Sequence, residues 1–227
     1  MTSSHRIFVT TVGDLLLTTA DRYGSHDLLI FPDSRHTYDS FVQASYKRAA
    51  SLYAHGIRAG DHVGILMANC PAYMEVLMGC MLVGAIAVPM NARYKATELG
   101  YVVENADLKL LVTSDLIADY ADFGQLLSNA FPDLVAQSDP LQLHLENAPM
   151  LRQVVMLGAQ SLPGFVSQQA FDGAGGAVAR QRRGINGFTG AIGPAIRRQE
   201  HINRTRCGPP GNPAIRQIKG RIAERQE

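Results

Sequence analysis

The chain has 227 residues, of which 46% are hydrophobic and 18% charged, and its formal net charge at pH 7 is +1. Its seven histidines are scattered, and no His/Cys/Asp/Glu cluster has metal-ligand spacing, so we predict no metal site. The three cysteines, Cys70, Cys80 and Cys207, are odd in number and lack a CxxC spacing. Small buried residues are therefore a better interpretation than disulfides or metal ligands.

The small net charge hides a division of the chain. Residues 1–173 carry 10 Lys and Arg against 17 Asp and Glu, a net charge of −7, whereas residues 174–227 carry 11 against 3, a net charge of +8. All 23 leucines lie in the first part, and 30 of the last 54 residues are Arg, Gly, Ala or Pro. Repeated glycines and prolines interrupt every candidate helix or strand there. We therefore predict a folded unit over 1–173 and a basic, disordered tail over 174–227.

The first elements alternate between helix and strand. Residues Val12 to Tyr23 predict a helix, and Leu28 to Phe31 with His36 to Tyr38 predict a strand pair joined by a Pro-Asp-Ser turn. Asp39 is a candidate cap for a long amphipathic helix that ends at Gly56.

A strand–helix–strand unit follows. His62 to Met67 is an apolar run suited to a strand buried on both faces. Asn69 can cap the next helix, Pro71 suits its first turn, and Gly84 ends it before a second strand from Ala85 to Val88. This pattern predicts a βαβ unit with two parallel strands.

The same region raises the question of a membrane span, because Val76 to Met90 holds 15 residues without a charge. A spanning helix needs about 20 apolar residues, and this run contains two glycines and a proline, so a buried helix and strand are favoured. The N-terminus has no continuous apolar segment behind a positive start. We predict no transmembrane segment and a cytoplasmic location.

The remaining folded part continues the alternation. We predict a helix from Thr97 to about Asn105, a strand from Lys109 to Thr113, a helix from Asp115, capped by Ser114-Asp115, to about Asn129, and a strand from Gln153 to Leu157. The Pro-containing stretch between the last two predicts a connection with one helical turn. The whole predicts an α/β fold with a largely parallel, doubly wound sheet.

Several of these segments together resemble the adenylate-forming (AMP-binding) enzyme superfamily, in particular its fatty acyl-CoA synthetase branch. They are TYDSF at 37–41, the Gly-Asp-x-Val strand opening at 60–63, GAIAVPMNARY at 84–94 and ELGYVVENADLKLLVTSD at 98–115. The order and spacing match the N-terminal subdomain of those enzymes, and the resemblance covers about Val12 to Phe171. It implies an incomplete version of that subdomain.

The resemblance implies an ATP-dependent ligase. Such enzymes convert a fatty or other carboxylic acid to an acyl-adenylate and transfer the acyl group to CoA, with Mg²⁺ required. Their phosphate-binding loop is rich in Ser, Thr and Gly and ends in Pro-Lys-Gly, a sequence that does not occur here. We therefore assign no catalytic, cofactor-binding or metal-binding residue to this chain, and we predict that the fragment is inactive alone.

Other candidate residues favour structural interpretations. The glycines at 173–176 lack the Lys-Ser/Thr of a phosphate loop. Asn91, Arg93 and Tyr94 match a family segment but are better suited to fixing a turn. Two acidic pairs at helical spacing, Asp119 with Asp122 and Glu104 with Asp107, favour a solvated face.

Three other interpretations stay open, two for the basic tail and one for the folded part. Its arginines would attract nucleic acid or anionic surfaces, but Phe188 is its one aromatic residue, so base stacking has little support and nucleic acid is a disfavoured partner. Alternatively, the incomplete subdomain acts as an interaction module with a protein partner. We favour a third interpretation, in which the leucine-free tail is a frameshifted sequence.

Overall fold

The structure is a computed structural model that describes residues 11–181. Helices and strands alternate along it, as the sequence predicts. In chain order they are α1 (Val12–Tyr23), β1 (Asp27–Phe31), β2 (Ser34–Thr37), α2 (Tyr38–Ala54), β3 (His62–Leu66), α3 (Pro71–Val83), β4 (Ile86–Pro89), α4 (Ala96–Asn105), β5 (Leu108–Ser114), α5 (Phe123–Ala130), a 3₁₀ turn (Leu134–Ala136), β6 (Gln153–Leu157), β7 (Phe165–Ser167) and α6 (Gln168–Gln181).

The main sheet has five parallel strands in the order β4-β3-β5-β6-β7. Strands β1 and β2 form a separate antiparallel hairpin. The chain runs from β3 to β4 on one side and then returns to β5 on the other side of β3. This order is the flavodoxin-like form of a doubly wound sheet, with its reversal between β3 and β5. The predicted α/β fold and its parallel sheet are confirmed.

Both faces of the sheet are covered by helices. On β3, Val63 and Ile65 point to one face, where they join a cluster that contains buried residues of α1, α2, α3 and α6. Leu66 points to the other face and joins a second cluster with buried residues of α4 and α5. The helix that leads from β3 to β4 thus lies opposite the two that follow it, so the sheet is doubly wound.

Two of the predicted helix caps are wrong, by two residues at α2 and by one residue at α3. Thr37 caps α2, because its Oγ1 accepts a hydrogen bond from the Ser40 N–H at 3.2 Å, and Asp39 lies inside the first turn. Cys70, not Asn69, is the N-cap residue of α3, and its side chain makes no capping hydrogen bond. Pro71 in the first turn and Gly84 at the C-terminus, with φ of 78°, match the prediction.

The predicted helix from Asp115 to about Asn129 is also wrong, because the structure has only α5, the second half of that segment. Asp122 caps this helix by accepting from the Gln125 N–H at 2.9 Å. The carboxylate of Asp115 instead accepts from the backbone N–H groups of Ala159 and Gln160, both at 2.7 Å. A long-range contact therefore replaces the local cap.

The structure extends the helical part beyond residue 173. Helix α6 runs to Gln181, so residues 174–181 do not match the predicted low-order tail. The glycines are accommodated because Gly175 is buried directly against α2. The short strand β7 before it was not predicted either. Residues 182–227, which hold the rest of the predicted tail, lie outside the described residues.

Candidate functional site

An ion cluster joins three helices in the described part of the chain. The Arg48 Nε of α2 lies 3.2 Å from the Glu75 Oε2 of α3, and its Nη1 lies 2.6 Å from the Asp172 Oδ1 of α6. The side chains of Arg48 and Glu75 are only 12% and 15% exposed, whereas that of Asp172 is 41% exposed. One guanidinium thus joins three helices. The cluster could not be predicted from the sequence, because Arg48 and Asp172 are 124 positions apart.

Beside this cluster, a groove lies between α2 and α6. Its cavity measures about 570 Å³, within the ~300–1,000 Å³ range of ligand pockets. One wall is α6, where the lining residues are small. We call this the α2–α6 groove, and it is lined by Gln43, Ala44, Tyr46, Lys47, Arg48, Ala50, Ser51, Glu75, Asp172, Gly175, Gly176 and Ala179.

Polar residues at the amino ends of the strands hold loops together. Lys109 Nζ lies 2.7 Å from the Asp61 Oδ2 and 2.9 Å from the Gly56 carbonyl oxygen. The same Asp61 oxygen accepts from the Arg58 N–H at 2.8 Å. These contacts fasten the loop before β3 to β5, so their role is structural.

Two histidines at the same end are also engaged. His55 Nδ1 lies 2.6 Å from the Gln153 Oε1, and the imidazole of His55 lies against Phe171 with ring centroids 5.0 Å apart. His62 Nδ1 lies 2.5 Å from the Ala106 carbonyl oxygen. Within residues 11–181, no group of three His, Cys, Asp or Glu side chains could hold a metal ion.

The carboxyl ends of β3 and β5 mark the reversal of the sheet, where doubly wound proteins commonly bind ligands. Here the two strands are tied together, because Thr113 Oγ1 donates to the Leu66 carbonyl oxygen at 2.7 Å. Asp115 holds the loop after β6 through Ala159 and Gln160. The predicted helix cap at Ser114-Asp115 is therefore wrong, and this edge is fixed by loop contacts.

The segment after β4 forms a turn. Asn91 Oδ1 accepts from the Arg93 N–H at 2.9 Å, and the Asn91 carbonyl oxygen accepts from the Tyr94 N–H at 3.1 Å. These bonds support the structural interpretation of Asn91, Arg93 and Tyr94.

The structure also locates the two acidic pairs and the glycines at 173–176. The four acids of the two pairs, Asp119, Asp122, Glu104 and Asp107, are exposed, as a solvated face requires. The glycines at 173–176 lie within α6 and form no loop.

Buried thiols and a buried phenol are poor nucleophiles here. Burial raises the pKa of Cys80 from 9.0 to about 12, and burial is also the main cause that raises the pKa of Cys70. Burial, with a smaller effect from the nearby Asp21 carboxylate, raises the pKa of Tyr46 to about 12. All three groups are therefore neutral near pH 7. Cys70 and Cys80 are core residues, in agreement with the prediction.

Among residues 11–181, no helix is long and apolar enough to cross a membrane. The apolar run at 76–90 is divided between α3 and β4.

Known proteins resemble this chain in sequence. It is 31% identical over 157 residues to YngI, a Bacillus subtilis (strain 168) protein named as an acyl-CoA synthetase, and the match covers 68% of this chain and 28% of YngI. It is 33% identical over 140 residues to the crotonobetaine/carnitine–CoA ligase of Citrobacter koseri, which covers 58% of this chain and 25% of that ligase. The chain thus spans less than a third of the length of these relatives.

The fold also matches solved structures. An anthranilate CoA ligase, AuaEII, in complex with anthranoyl-AMP matches with a TM-score of 0.59 and 21% identity, over 76% of this chain and 29% of that one. The N-terminal domain of FACL13 from Mycobacterium tuberculosis matches with a TM-score of 0.55 and 20% identity, over 74% and 36% of the two chains. At these identities the likeness concerns the fold alone.

The family assignment rests on a family model that matches more than half of the chain. The model of the AMP-binding enzyme family matches residues 16–172, which include every strand of the main sheet and most of the described helices. The chain therefore belongs to the AMP-binding enzymes, the adenylate-forming family that includes acyl-CoA ligases, and it corresponds to the N-terminal part of such an enzyme.

Proposed function

We propose that this chain provides the N-terminal subdomain of an AMP-forming acyl-CoA ligase. Such a ligase activates a carboxylic acid with ATP through an acyl-adenylate and transfers the acyl group to CoA. The observation that carries the proposal is the family match over residues 16–172. The names of the two relatives, an acyl-CoA synthetase and a crotonobetaine/carnitine–CoA ligase, support a carboxylic acid as the substrate class. We propose that fatty acids belong to this class.

We further propose that these 227 residues have no adenylation activity by themselves. The sequence contains no Pro-Lys-Gly, the ending of the family's phosphate-binding loop. We assign no step of the reaction to the residues that the structure describes. The contribution of this part is a rigid scaffold, built from the parallel sheet and the Arg48 ion cluster.

The first experiment measures exchange of labelled pyrophosphate into ATP, with a panel of short, medium and long carboxylic acids. The purified chain should give no acid-dependent exchange above the value of a mock purification. Acid-dependent exchange that co-purifies with the chain and exceeds this control would contradict the proposal.

A second experiment tests the scaffold role directly. The Citrobacter koseri ligase would be produced without the 140 residues that match this chain, alone and together with this chain. Carnitine-dependent ATP consumption restored only by co-production would show that the chain replaces the missing part. Co-purification of the two polypeptides without activity would instead support a role in protein interaction.

That interaction role is the second candidate function. Strand β7 is three residues long and pairs with β6 on one side, so within residues 11–181 its other edge has no partner strand. Such an edge can accept a strand from another polypeptide. A cytoplasmic location also stays a proposal; the cysteines, without disulfide spacing, agree with it.

A further inference from the structure

The α2–α6 groove is a recess whose size suits a small organic molecule. Its cavity of about 570 Å³ lies within the ~300–1,000 Å³ typical of ligand pockets. The walls have little or no side chain at five positions, which are Gly175, Gly176 and Ala179 on α6 and Ala44 and Ala50 on α2. These positions can contact the apolar body of a ligand, so the polar lining residues decide which class of ligand fits.

Ser51 of α2 brings an unused hydroxyl group to the groove. The residue is only 1% exposed, and it is one of the lining residues. Its Oγ lies beside Gly175 of α6, and it makes no hydrogen bond with the residues that the structure describes. Buried hydroxyl groups in proteins usually have a hydrogen-bond partner. The Ser51 hydroxyl is therefore available to a polar group of a bound molecule.

Four charged side chains line the groove, and their formal charges sum to zero. Lys47 and Arg48 are positive, whereas Glu75 and Asp172 are negative. Arg48 is engaged with both carboxylates in the ion cluster. Lys47 is exposed and makes no ion pair with the described residues. A ligand without net charge keeps this balance, because it adds no uncompensated charge to the groove.

The two charged groups with free bonding capacity come from different walls. Lys47 of α2 offers three ammonium donors. Asp172 of α6 has a side chain that is 41% exposed; its Oδ1 accepts from the Arg48 Nη1 at 2.6 Å and its Oδ2 from the Gln168 Nε2 at 3.3 Å. A carboxylate has about four acceptor positions, so about two remain. One wall can thus donate to a carboxylate, and the other can accept from an ammonium group.

We propose that the α2–α6 groove binds a small zwitterion of the α-amino acid class. Lys47 and Ser51 bind its carboxylate, Asp172 binds its ammonium group, and its apolar side chain lies on the wall of glycines and alanines. This binding is separate from the acyl-CoA ligase reaction, because no lining residue is assigned a step of that reaction. The scaffold therefore has a ligand site of its own.

The test titrates the full-length chain with three probes that share one branched carbon skeleton. L-Leucine carries both charges, 4-methylpentanoate carries only the carboxylate, and 3-methylbutylamine carries only the ammonium group. Dissociation constants are measured by NMR titration of the ¹⁵N-labelled chain. L-Leucine should bind at least fivefold more tightly than either analogue. Equal affinities for the three probes, or no binding of L-leucine at its solubility limit, would overturn the proposal.

Two pairs of variants locate the binding in the groove. Ser51→Ala should weaken L-leucine binding at least threefold, whereas Ser45→Ala should leave it unchanged, because Ser45 is a buried serine of the same helix whose unpartnered hydroxyl does not line the groove. Neither variant loses a hydrogen bond between described residues, so both should fold, and urea unfolding checks this.

The second pair tests the carboxylate contact. Lys47→Met should weaken L-leucine binding at least fivefold and leave the affinity for 3-methylbutylamine unchanged. Lys95→Met, which removes an exposed lysine just before α4, should alter neither affinity. Equal effects of the two variants within either pair would show that the groove is not the binding site and would overturn the proposal.

Discussion

Gly175 of α6 lies against the backbone of Ser51 in α2. A Cβ atom added at residue 175 would come within 2.7 Å of the Ser51 nitrogen and 2.8 Å of its Cα. Backbone atoms cannot move aside as the end of a flexible side chain can, so the two helices approach this closely only because residue 175 is glycine. The sequence feature that predicted disorder is thus what lets α6 join the fold.

The first prediction compares two glycines of the same helix. Gly175→Ala should lower the free energy of unfolding by about 1–3 kcal/mol, because the new methyl group overpacks the α2–α6 contact. Gly173→Ala should be neutral or raise it by up to about 1 kcal/mol, since nothing lies within 4 Å of a Cβ there and alanine favours a helix. Urea unfolding measures both. Equal effects would contradict the close contact.

The second prediction concerns the ion cluster of α2, α3 and α6. Arg48→Ala leaves Glu75 and Asp172 without their shared cation. We expect the free energy of unfolding to fall by about 2 kcal/mol. This value lies between the ~0–1 kcal/mol typical of exposed ion pairs and the ~3–5 kcal/mol lost when a fully buried pair is broken. The matched control is Arg35→Ala, because Arg35 pairs with Asp27 at the surface, with 67% and 42% exposure. Its cost should stay below about 1 kcal/mol. A larger loss in the control than in Arg48→Ala would contradict the cluster's role.

The third prediction is a loss of stability at alkaline pH. The pKa of Cys80 is raised to about 12 by burial, above its ordinary 9.0, so above pH 9 the unfolded chain releases this proton while the folded chain keeps it. The contribution of the Cys80 thiol to the free energy of unfolding is complete below about pH 9, and it declines as the pH rises towards 12. Between pH 8 and 10 the chain should lose on the order of 1 kcal/mol through this thiol. Cys80→Ala, measured by the same urea titrations, should show a smaller decline; an identical decline would argue against Cys80 as a source.

The fourth prediction addresses the origin of the tail. If it is frameshifted, translation of the encoding DNA in the other two frames should reveal a leucine-containing sequence with a Thr-Ser-Gly-rich loop ending in Pro-Lys-Gly. The search would begin at about codon 174 and include the codons up to 182, because α6 continues to Gln181. Two frames without this loop would show that the basic tail is genuine coding sequence.

The sequence was most informative where local signals and burial agree. The strand at 62–66, the proline start and glycine end of α3, and the strand at 153–157 were all predicted, because periodicity and terminal residues act within a few positions. Their parallel arrangement followed from the alternation of strands and helices.

The helix-cap errors at Asp39 and Asn69 are local shifts of one or two residues, whereas the larger errors arise because the contacts involved join residues distant in sequence. Asp115 looks like a helix cap locally, but its partners lie at 159 and 160. Helix α6 looks too rich in glycine until its contact with Ser51 is known. The Arg48 cluster and the α2–α6 groove likewise require three helices to be placed first. None of these contacts leaves a periodic signal in the chain.

The central position of β3 has a consequence for synthesis of the protein. This strand pairs with β4 and with β5, so it lacks its second neighbour until the ribosome has added 48 residues beyond Leu66, up to Ser114. At about 5–20 residues per second, this interval lasts about 2–10 s. During it, an apolar strand and the apolar helix α3 are emerging from the ribosome without their final cover. The growing chain is therefore exposed to aggregation, and dependent on chaperones, while residues 67–114 are being made.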